Sequence, residues 1–388
     1  MVADAKLVPR NTTALTTRQA MSFIEAEYLA TRPEQDPAGL AEAIAREQSL
    51  EILPELIPAD IARDCLGQVR HVRQVGDHCW SLGIAYPAHL ASDQVGQLLQ
   101  LLYGNVSFYP RIRLDRISLP DSLLAHLPGP LGGIELVREH TGVSDRALLI
   151  GVLKPRGSST EFLSDLAYRY ALAGGDILKD DQNLVEKHPS VFRERIERCA
   201  QAVDQAAQET GKRCLYLPHV AGSGAHLQRQ LEAVGEQGLA GVVFCPWVMG
   251  LEHAATAARD HGLMWLAHPA MAGACTQPMQ TGIAAEIIFG QLPRLAGADM
   301  VIYPGSGGRI SLGDPATEAS IHQALLEKND WHLRSLPCTG GGKTLNDLPD
   351  VTARHGKDCA IVVGGELLQH RQQLGTAVRD AVCRLQSS

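Results

Sequence analysis

The order of apolar and polar residues predicts an α/β protein, in which a C-terminal (β/α)8 TIM barrel follows an N-terminal ferredoxin-like α+β domain. Short apolar runs recur roughly every 25 to 30 residues from about residue 145, helical patterns separate them, and the first 140 residues lack this rhythm. We place the domains at residues 1–135 and 136–388, with a linker at LPGPLGG, residues 127–133.

The N-terminal part alternates strand-like and helix-like segments. In chain order they are MSFIEAEYLA (strand), PAGLAEAIAREQS (helix), strands around 68–75 and 78–86, a helix in SDQVGQLLQLLYGN, and the strand RIRLDRISLP. This β-α-β-β-α-β order predicts a ferredoxin-like domain.

The C-terminal part contains eight strand candidates with helical patterns between them. They are ALLIGVL (147–153), DILKDD (176–181), CLYLPHV (214–220), GVVFCPW (241–247), MWLAHPA (264–270), DMVIYPG (299–305), SLPCTGG (335–341) and CAIVVGG (359–365). Eight βα units predict a closed barrel, with a doubly wound open sheet as the alternative. Between strands two and three, Phe192, Ile196, Cys199 and Val203 recur at helical spacing, Arg and Glu occupy the other face, and Gly211 ends the pattern.

Composition excludes several classes of protein. The net charge of -8 argues against nucleic acid as a partner, because phosphate backbones bind basic surfaces. The nine cysteines are scattered and never form CxxC, so neither a disulfide framework nor a structural zinc site is indicated. No apolar stretch is long enough to span a membrane, and we expect a soluble, cytoplasmic protein with a small-molecule substrate.

Catalytic residues of a (β/α)8 barrel lie at the C-terminal ends of its strands, and the charged run Lys179–Asp180–Asp181–Gln182 ends the second strand. A desolvated Lys179 can react with CO2 to give a carbamate, which would supply oxygen ligands for Mg²⁺ beside Asp181. The alternative is a Lys–Asp ion pair that caps the next helix.

Lys154, at the end of the first strand, can act as a proton donor or base, or is a solvated lysine in a loop stiffened by Pro155.

Two glycine clusters follow the last two strands, at residues 340–342 and 364–365. Barrels often bind a phosphate on backbone N–H groups at this place, and Lys343 would add positive charge; simple turns are the alternative.

His268 and His219 also lie at strand ends, where each is either an acid/base group or a histidine of the barrel rim without a catalytic role. The segment GSGGR, residues 305–309, is a lid hinge, a second phosphate loop or a surface turn.

These motifs together resemble a known family. GVLKPRG, AGGDILKDDQN, LAHPAM, LPCTGGG and VVGGE occur in the order found in the large subunit of RuBisCO, and LYGNV and LPGPLGGIELVREHTGV extend the resemblance. It implies that Lys154 handles a proton, that Lys179 is carbamylated, and that Lys179, Asp181 and Gln182 bind Mg²⁺. Gln182 stands where the family has a glutamate ligand.

The resemblance also assigns the remaining site residues. His268 matches an active-site histidine, and the phosphate-binding glycines correspond to Gly340, Gly341, Gly364 and Gly365. Glu47 and Asn105 match residues that reach into the active site of the partner subunit, which implies a homodimer with shared active sites.

Several departures separate the chain from CO2-fixing enzymes. Arg156 replaces the second lysine of the KPK motif and remains a candidate for substrate binding, and Pro269 stands where RuBisCO has an arginine for its second phosphate. Ala272 replaces a histidine, Gly340 replaces a serine, and only Arg309 lies near the place of the lysine on the carboxylating loop. These changes indicate a RuBisCO-like protein (form IV) that binds a singly phosphorylated substrate.

RuBisCO-like enzymes share an enediolate intermediate. We favour decarboxylation or C–C cleavage of a phosphorylated 3-oxo sugar acid, because such a substrate brings its own carboxylate and demands less of a metal site weakened at Gln182. One alternative is an enolase or isomerase of a phosphorylated methylthio-ketose in methionine salvage. Others are a non-catalytic ligand-binding relative and an aldolase-like barrel that forms a Schiff base on Lys154 or Lys179.

Overall fold

The N-terminal domain has the predicted β-α-β-β-α-β order with one additional helix. The computed structural model describes residues 22–34, 36–276 and 280–386. Its N-terminal elements are β1 (Phe23–Thr31), α1 (Pro37–Ser49), α2 (Ala59–Cys65), β2 (Gln68–Gly76), β3 (Cys79–Pro87), α3 (Val95–Tyr103) and β4 (Ile112–Ser118). Strand β1 pairs antiparallel with β3 and β4, and β3 pairs with β2, so the strand order is β4-β1-β3-β2.

Local sequence explains these elements. Alternate residues of β1 are buried, among them Tyr28, because side chains of a strand point to opposite faces in turn. Helix α1 begins where the Asp36 side chain accepts a hydrogen bond from the Gly39 N–H, with Pro37 in the first turn, and it buries Leu40 and Ile44 against the sheet.

Two helices connect this domain to the barrel, α4 (Asp121–Leu124) and α5 (Gly133–Thr141). The barrel strands are β5 (Leu148–Leu153), β6 (Ile177–Asp180), β7 (Leu215–Leu217), β8 (Gly241–Phe244), β9 (Met264–Ala267), β11 (Met300–Pro304), β12 (Leu336–Gly340) and β13 (Ala360–Val362). They are parallel, in the order β7-β6-β5-β13-β12-β11-β9-β8. A bridge between His219 and Val243 joins β7 to β8 and closes the ring. The (β/α)8 prediction is therefore confirmed, and the open-sheet alternative is wrong.

The helices of the barrel domain follow the strands. They are α6 (Thr160–Leu172), α7 (Pro189–Thr210), α8 (Gly224–Glu236), α9 (Pro246–Met249), α10 (Leu251–Asp260), α11 (Gly273–Thr276), α12 (Leu292–Ala296), α13 (Pro315–Leu326), α14 (Leu348–His355), α15 (Gly365–Gln369) and α16 (Leu374–Gln386). In the part of the chain that the structure describes, no helix combines the length and the apolarity needed to cross a bilayer.

Strand β10 (Gly282–Ile283) lies between β9 and β11 and leaves the barrel. It pairs in parallel with β4, so the N-terminal sheet has five strands, and the Gly282 N–H donates to the Tyr103 hydroxyl at 2.7 Å. A π-helical segment, Ile287–Gln291, then returns the chain to the barrel. This excursion joins the two domains.

The N-terminal end of the barrel is closed by α5. Its residues Ile134 and Val137 belong to the apolar cluster that fills the barrel interior. Asp299, at the start of β11, accepts hydrogen bonds from the N–H groups of Gly132, Gly133 and Trp265 at 2.8–3.1 Å. The Asp299 carboxylate fixes the predicted linker across the N-terminal end of the barrel. A site inside the barrel can therefore open only at the C-terminal ends of the strands.

Helix α7 has one charged residue on its buried face. Phe192, Ile196 and Cys199 are buried as the spacing predicts, but Arg195 is only 2% exposed, although the sequence pattern placed arginines on the other face. The Arg195 guanidinium binds Asp180 of β6 and Glu186 of the following loop. The prediction failed here because an arginine can replace an apolar residue where carboxylates are buried beside it.

Removing Arg195 would leave Asp180 as an uncompensated buried charge. We expect Arg195→Ala to lower the free energy of unfolding by about 3–5 kcal/mol in urea denaturation. Arg193→Ala on the same helix is the matched control, because the Arg193–Glu236 pair is about half exposed and should contribute less than about 1 kcal/mol. An equal loss of unfolding free energy in the two variants would show that Arg195 does not compensate a buried charge.

Candidate active site

A cavity of about 820 Å³ lies at the C-terminal ends of the barrel strands. Predicted site residues line it from five strand ends: Lys154, Lys179, Asp181, Gln182, His268, Gly340, Gly341, Gly364 and Gly365. Arg309 lines it as well. The fold thus brings together residues that are separated by more than 200 positions in the sequence.

The charged run after β6 forms the polar floor of the cavity. The Lys179 Nζ donates to the Asp180 carbonyl at 2.6 Å, and the Lys154 Nζ lies 3.3 Å from Asp181 Oδ2. The other oxygen of Asp181 accepts hydrogen bonds from the backbone and side-chain N–H groups of Asn183, each at 2.9 Å. Asp181 is therefore oriented from both sides, with one oxygen turned toward the two lysines.

Asp180 faces away from the cavity and fixes this segment from behind. It is fully buried, and it accepts hydrogen bonds from Tyr216 OH at 2.9 Å and from the His219 N–H at 3.0 Å, in addition to Arg195. Successive strand residues point to opposite sides, so anchoring Asp180 behind the strand directs Lys179 and Asp181 to the cavity.

Burial changes the protonation of the floor. Burial lowers the pKa of Lys179 to about 8, because desolvation outweighs the attraction of Asp181 and Asp180. Burial alone would raise the pKa of Asp181, but the Asn183 N–H and the charges of Lys154 and Lys179 lower it. Near neutral pH a minor fraction of Lys179 is therefore the neutral amine, the form that reacts with CO2, while Asp181 remains a carboxylate.

The two predicted histidines differ in position. His268 lines the cavity, and its Nδ1 accepts a hydrogen bond from the Ala270 N–H at 3.2 Å, which leaves Nε2 to carry the proton. Burial and the nearby charge of Lys179 lower its pKa well below the usual value, so His268 is a neutral donor. His219 does not line the cavity; it is buried behind the floor, with its Nε2 3.6 Å from Cys245 Sγ.

The two glycine clusters meet at one side of the cavity. Gly341 and Gly342 have φ values of 89° and 102°, which favour glycine. At Gly364, a Cβ would lie 3.1 Å from Val152 Cγ2 and 3.4 Å from the Lys154 Nζ, so the Lys154 ammonium lies close to this backbone. The clusters form an open, backbone-lined surface beside a positive charge, which suits a phosphate.

Three predicted binding residues lie outside this cavity. Arg156 lines a separate recess of about 260 Å³. Asn105 Nδ2 donates to Glu47 Oε1 at 3.0 Å, and both line a small recess of the N-terminal domain. Their proposed roles, including the contact across a dimer, stay predictions. Lys343 is buried and donates to the Ser306 carbonyl instead of facing the cavity.

The sequence analysis missed an apolar wall. Besides Pro269, which it did name, the cavity is lined by the apolar residues Ala270, Phe289, Ile302, Ile310 and Leu312. The alternation of Ile310 and Leu312 directly after Arg309 was the available signal. No sequence signal indicated Phe289, because its position depends on the π-helical segment that leads from the N-terminal sheet back to the barrel.

The donor set at the floor fits a divalent cation under one condition. Within the described ranges, no group of three or more His, Cys, Asp and Glu side chains could hold a metal ion. Asp181 supplies one carboxylate and Gln182 one amide oxygen, while Lys179 in its free form adds no ligand. Carbamylation would convert Lys179 into an oxygen donor with negative charge, and these three residues then suit Mg²⁺.

Comparison with known proteins agrees with this geometry. The family model of the ribulose bisphosphate carboxylase large chain, catalytic domain, matches residues 133–377. The chain is 36% identical to ribulose bisphosphate carboxylase-like protein 1 of Rhodopseudomonas palustris, over 87% of this chain and 90% of the relative. The chain belongs to the RuBisCO large-chain family. The resemblance to RuBisCO-like proteins inferred from the motifs is thereby confirmed.

One solved structure and one further relative are also similar to this chain. This RuBisCO-like chain is similar to the crystal structure of a Rubisco-like protein from Rhodopseudomonas palustris, with a TM-score of 0.85 and 30% identity, covering 94% of this chain and 98% of the other. It is also 34% identical to the 5-methylthioribulose-1-phosphate isomerase of Rhodospirillum rubrum, over 86% of this chain and 88% of the relative.

The lowered pKa of Lys179 can be measured by its reactivity. Only the neutral amine reacts, so trace acetylation of Lys179, quantified by mass spectrometry, should rise with pH and level off above about pH 8. In the urea-unfolded chain the same lysine should react more with each pH unit up to about 10, the ordinary lysine pKa. Identical profiles in the folded and unfolded chains would contradict the lowered pKa.

Proposed function

We propose that this RuBisCO-like chain is an enzyme that enolises or isomerises a singly phosphorylated ketose whose other end is apolar. The observation that carries the proposal is the arrangement of one cavity: a buried lysine and a carboxylate at the floor, glycine loops on one side and an apolar wall. The sequence alone favours a 3-oxo sugar acid, whereas the apolar wall favours the methylthio-ketose alternative, which we now prefer.

The glycine clusters provide for one phosphate. Backbone N–H groups of residues 340–342 and 364–365, with the Lys154 ammonium beside Gly364, suit a dianion. At the position of the second phosphate site of RuBisCO, this chain has Pro269, which offers neither charge nor a backbone donor. A bisphosphate would place a dianion against this uncharged surface, so a monophosphate fits better.

The apolar wall suits an uncharged substituent. Phe289 and Leu312 would remove a methylthio group from water, worth about 0.8 kcal/mol for each buried carbon. A hydroxyl would instead lose hydrogen bonds to water at this wall. The name of the Rhodospirillum rubrum relative, an isomerase of 5-methylthioribulose 1-phosphate, supports the same substrate class.

The side chains at the floor can carry out proton transfer. Mg²⁺ held by carbamylated Lys179, Asp181 and Gln182 would supply charge stabilisation for an enediolate. Lys154 lies 3.3 Å from Asp181 and one third of its side chain is exposed, so it can exchange a proton with substrate and solvent. The neutral His268 can donate its Nε2–H to a substrate oxygen, which orients the carbonyl.

A second candidate function rests on Arg309. Its guanidinium lines the cavity, and if it binds a substrate carboxylate and not the phosphate, decarboxylation or C–C cleavage of a phosphorylated 3-oxo sugar acid is the alternative. The two functions differ in products, because only the sugar acid releases CO2. A proton NMR assay in D2O with Mg²⁺ and bicarbonate therefore separates them: deuterium enters the methylthio-ketose in one case, and the sugar acid loses carbon in the other.

Lys179→Ala should reduce deuterium incorporation into 5-methylthioribulose 1-phosphate by at least about a thousandfold, because it removes the amine on which the carbamate forms. Lys187→Ala is the control, since Lys187 is exposed and lies outside the cavity, and it should keep wild-type activity. Full activity of Lys179→Ala would rule out the proposed mechanism, and binding without turnover in the wild-type protein would favour the non-catalytic alternative.

The apolar wall predicts a selective effect. Leu312→Asn should raise the KM for the methylthio-ketose phosphate about four- to fifteenfold, the cost of losing one to two buried carbons. The KM for ribulose 5-phosphate, which ends in a hydroxyl, should change by less than about twofold. A parallel rise for both substrates would show that Leu312 acts on loop structure and not on the apolar end of the substrate.

A further inference from the structure

The segment 305–314 between β11 and α13, here called the arginine loop because it carries Arg309, lies against the glycine loop, residues 340–342. The Ile310 N–H donates to the Gly341 carbonyl at 2.8 Å, and the Gly305 N–H donates to the Gly340 carbonyl at 3.2 Å. A Cβ at Gly308 would collide with the Gly341 carbonyl. The two loops are therefore in direct backbone contact, and the glycines permit it.

The arginine loop begins between two buried, opposite charges. The Ser306 N–H donates to Glu318 Oε1 of α13, and the Ser306 carbonyl accepts from the Lys343 ammonium, which follows the glycine loop. Glu318 is 1% exposed and Lys343 is 4% exposed. We call Glu318, Ser306 and Lys343 the Ser306 clamp; it connects three segments of chain through a single residue.

Glu318 is kept charged by its surroundings. Burial would raise its pKa, but a hydrogen bond from His355, the Ser306 N–H and the charge of Lys343 lower the pKa to about 2. Arg354 lies 3.5 Å from the other carboxylate oxygen. Burying these charges costs desolvation, which their hydrogen bonds to Ser306 and His355 offset only in a defined geometry, so the clamp fixes the position of Ser306.

The position so defined is that of Arg309. A Cβ at Gly342 would lie 3.0 Å from the Arg309 nitrogen and 3.1 Å from its Cβ, so Arg309 is adjacent to the glycine loop. Only two residues, Gly307 and Gly308, separate Arg309 from the clamped Ser306. An unclamped loop of glycine and serine would let the arginine leave the cavity, at a cost in the affinity for anions.

We propose that Glu318 and Lys343 are positioning residues: by clamping Ser306 they hold Arg309 beside the glycine loop, where its guanidinium binds the phosphate of the substrate. The inference rests on the proposed function in one respect, that the glycine loop binds phosphate. Neither residue touches the cavity, so both act through Arg309.

Loop position is tested first, without any substrate. Glu318→Gln and Lys343→Met should each accelerate tryptic cleavage after Arg309 about tenfold or more, because the loop leaves its docked position more often. Lys357→Met is the matched control: this lysine also donates to a backbone carbonyl, that of Ser144 at 3.1 Å, but it is exposed and precedes β13, at the end of the barrel opposite the arginine loop. Unchanged cleavage in both clamp variants would overturn the proposal.

Anion binding is tested by a double-mutant cycle with inorganic phosphate as the probe, measured by calorimetry. Glu318→Gln should raise the Kd about five- to tenfold in the wild-type background and less than about twofold in Arg309→Gln. Equal effects in both backgrounds would overturn the clamp, since Glu318 would then act independently of Arg309. Lys343→Met provides the same cycle if Glu318→Gln does not fold. Phosphate binding without enolisation would refute the proposed function while leaving this inference intact.

Discussion

The buried contact between Asp180 and Arg195 sets the position from which the whole site is built. Asp180 stands between Lys179 and Asp181 on β6, and its bonds to Arg195, Tyr216 and the His219 N–H draw it behind the strand. Its two neighbours must then face the cavity. An ion pair inside the fold thus orients a lysine and a carboxylate that would otherwise be free to turn toward solvent.

Electrostatics at the floor follow from that orientation. Lys179 is buried at the bottom of the cavity, and this burial lowers its pKa enough for a fraction of it to be the neutral amine near neutral pH. Asp181 keeps its charge because Asn183 and two lysines surround it. If Lys179 is carbamylated, this floor would suit a divalent cation, to which Gln182 would contribute an oxygen without a further negative charge.

The walls divide the cavity into chemically different ends. The glycine loops offer backbone donors, and the arginine loop lies on them with its charge toward the cavity, whereas Phe289 and Leu312 offer only apolar surface. A substrate with one phosphate and one apolar end satisfies both. The departures of this RuBisCO-like chain from the carboxylating enzymes are consistent with the proposed substrate: Pro269 stands where RuBisCO has an arginine for its second phosphate, and apolar residues line the same cavity.

The sequence by itself determined the eight strands, the βαββαβ domain and the polar residues at the strand ends, because periodicity and strand-terminal residues are local properties. Only the tertiary structure decided which side chains are buried together. Arg195 occupies a buried position on α7 where the pattern predicts an apolar residue. Lys343 donates to the Ser306 carbonyl and does not line the cavity. Phe289 lines the cavity from the π-helical segment that follows β10. The physical reason is that the energy of a charge or a ring depends on its neighbours in space, which residue spacing does not specify.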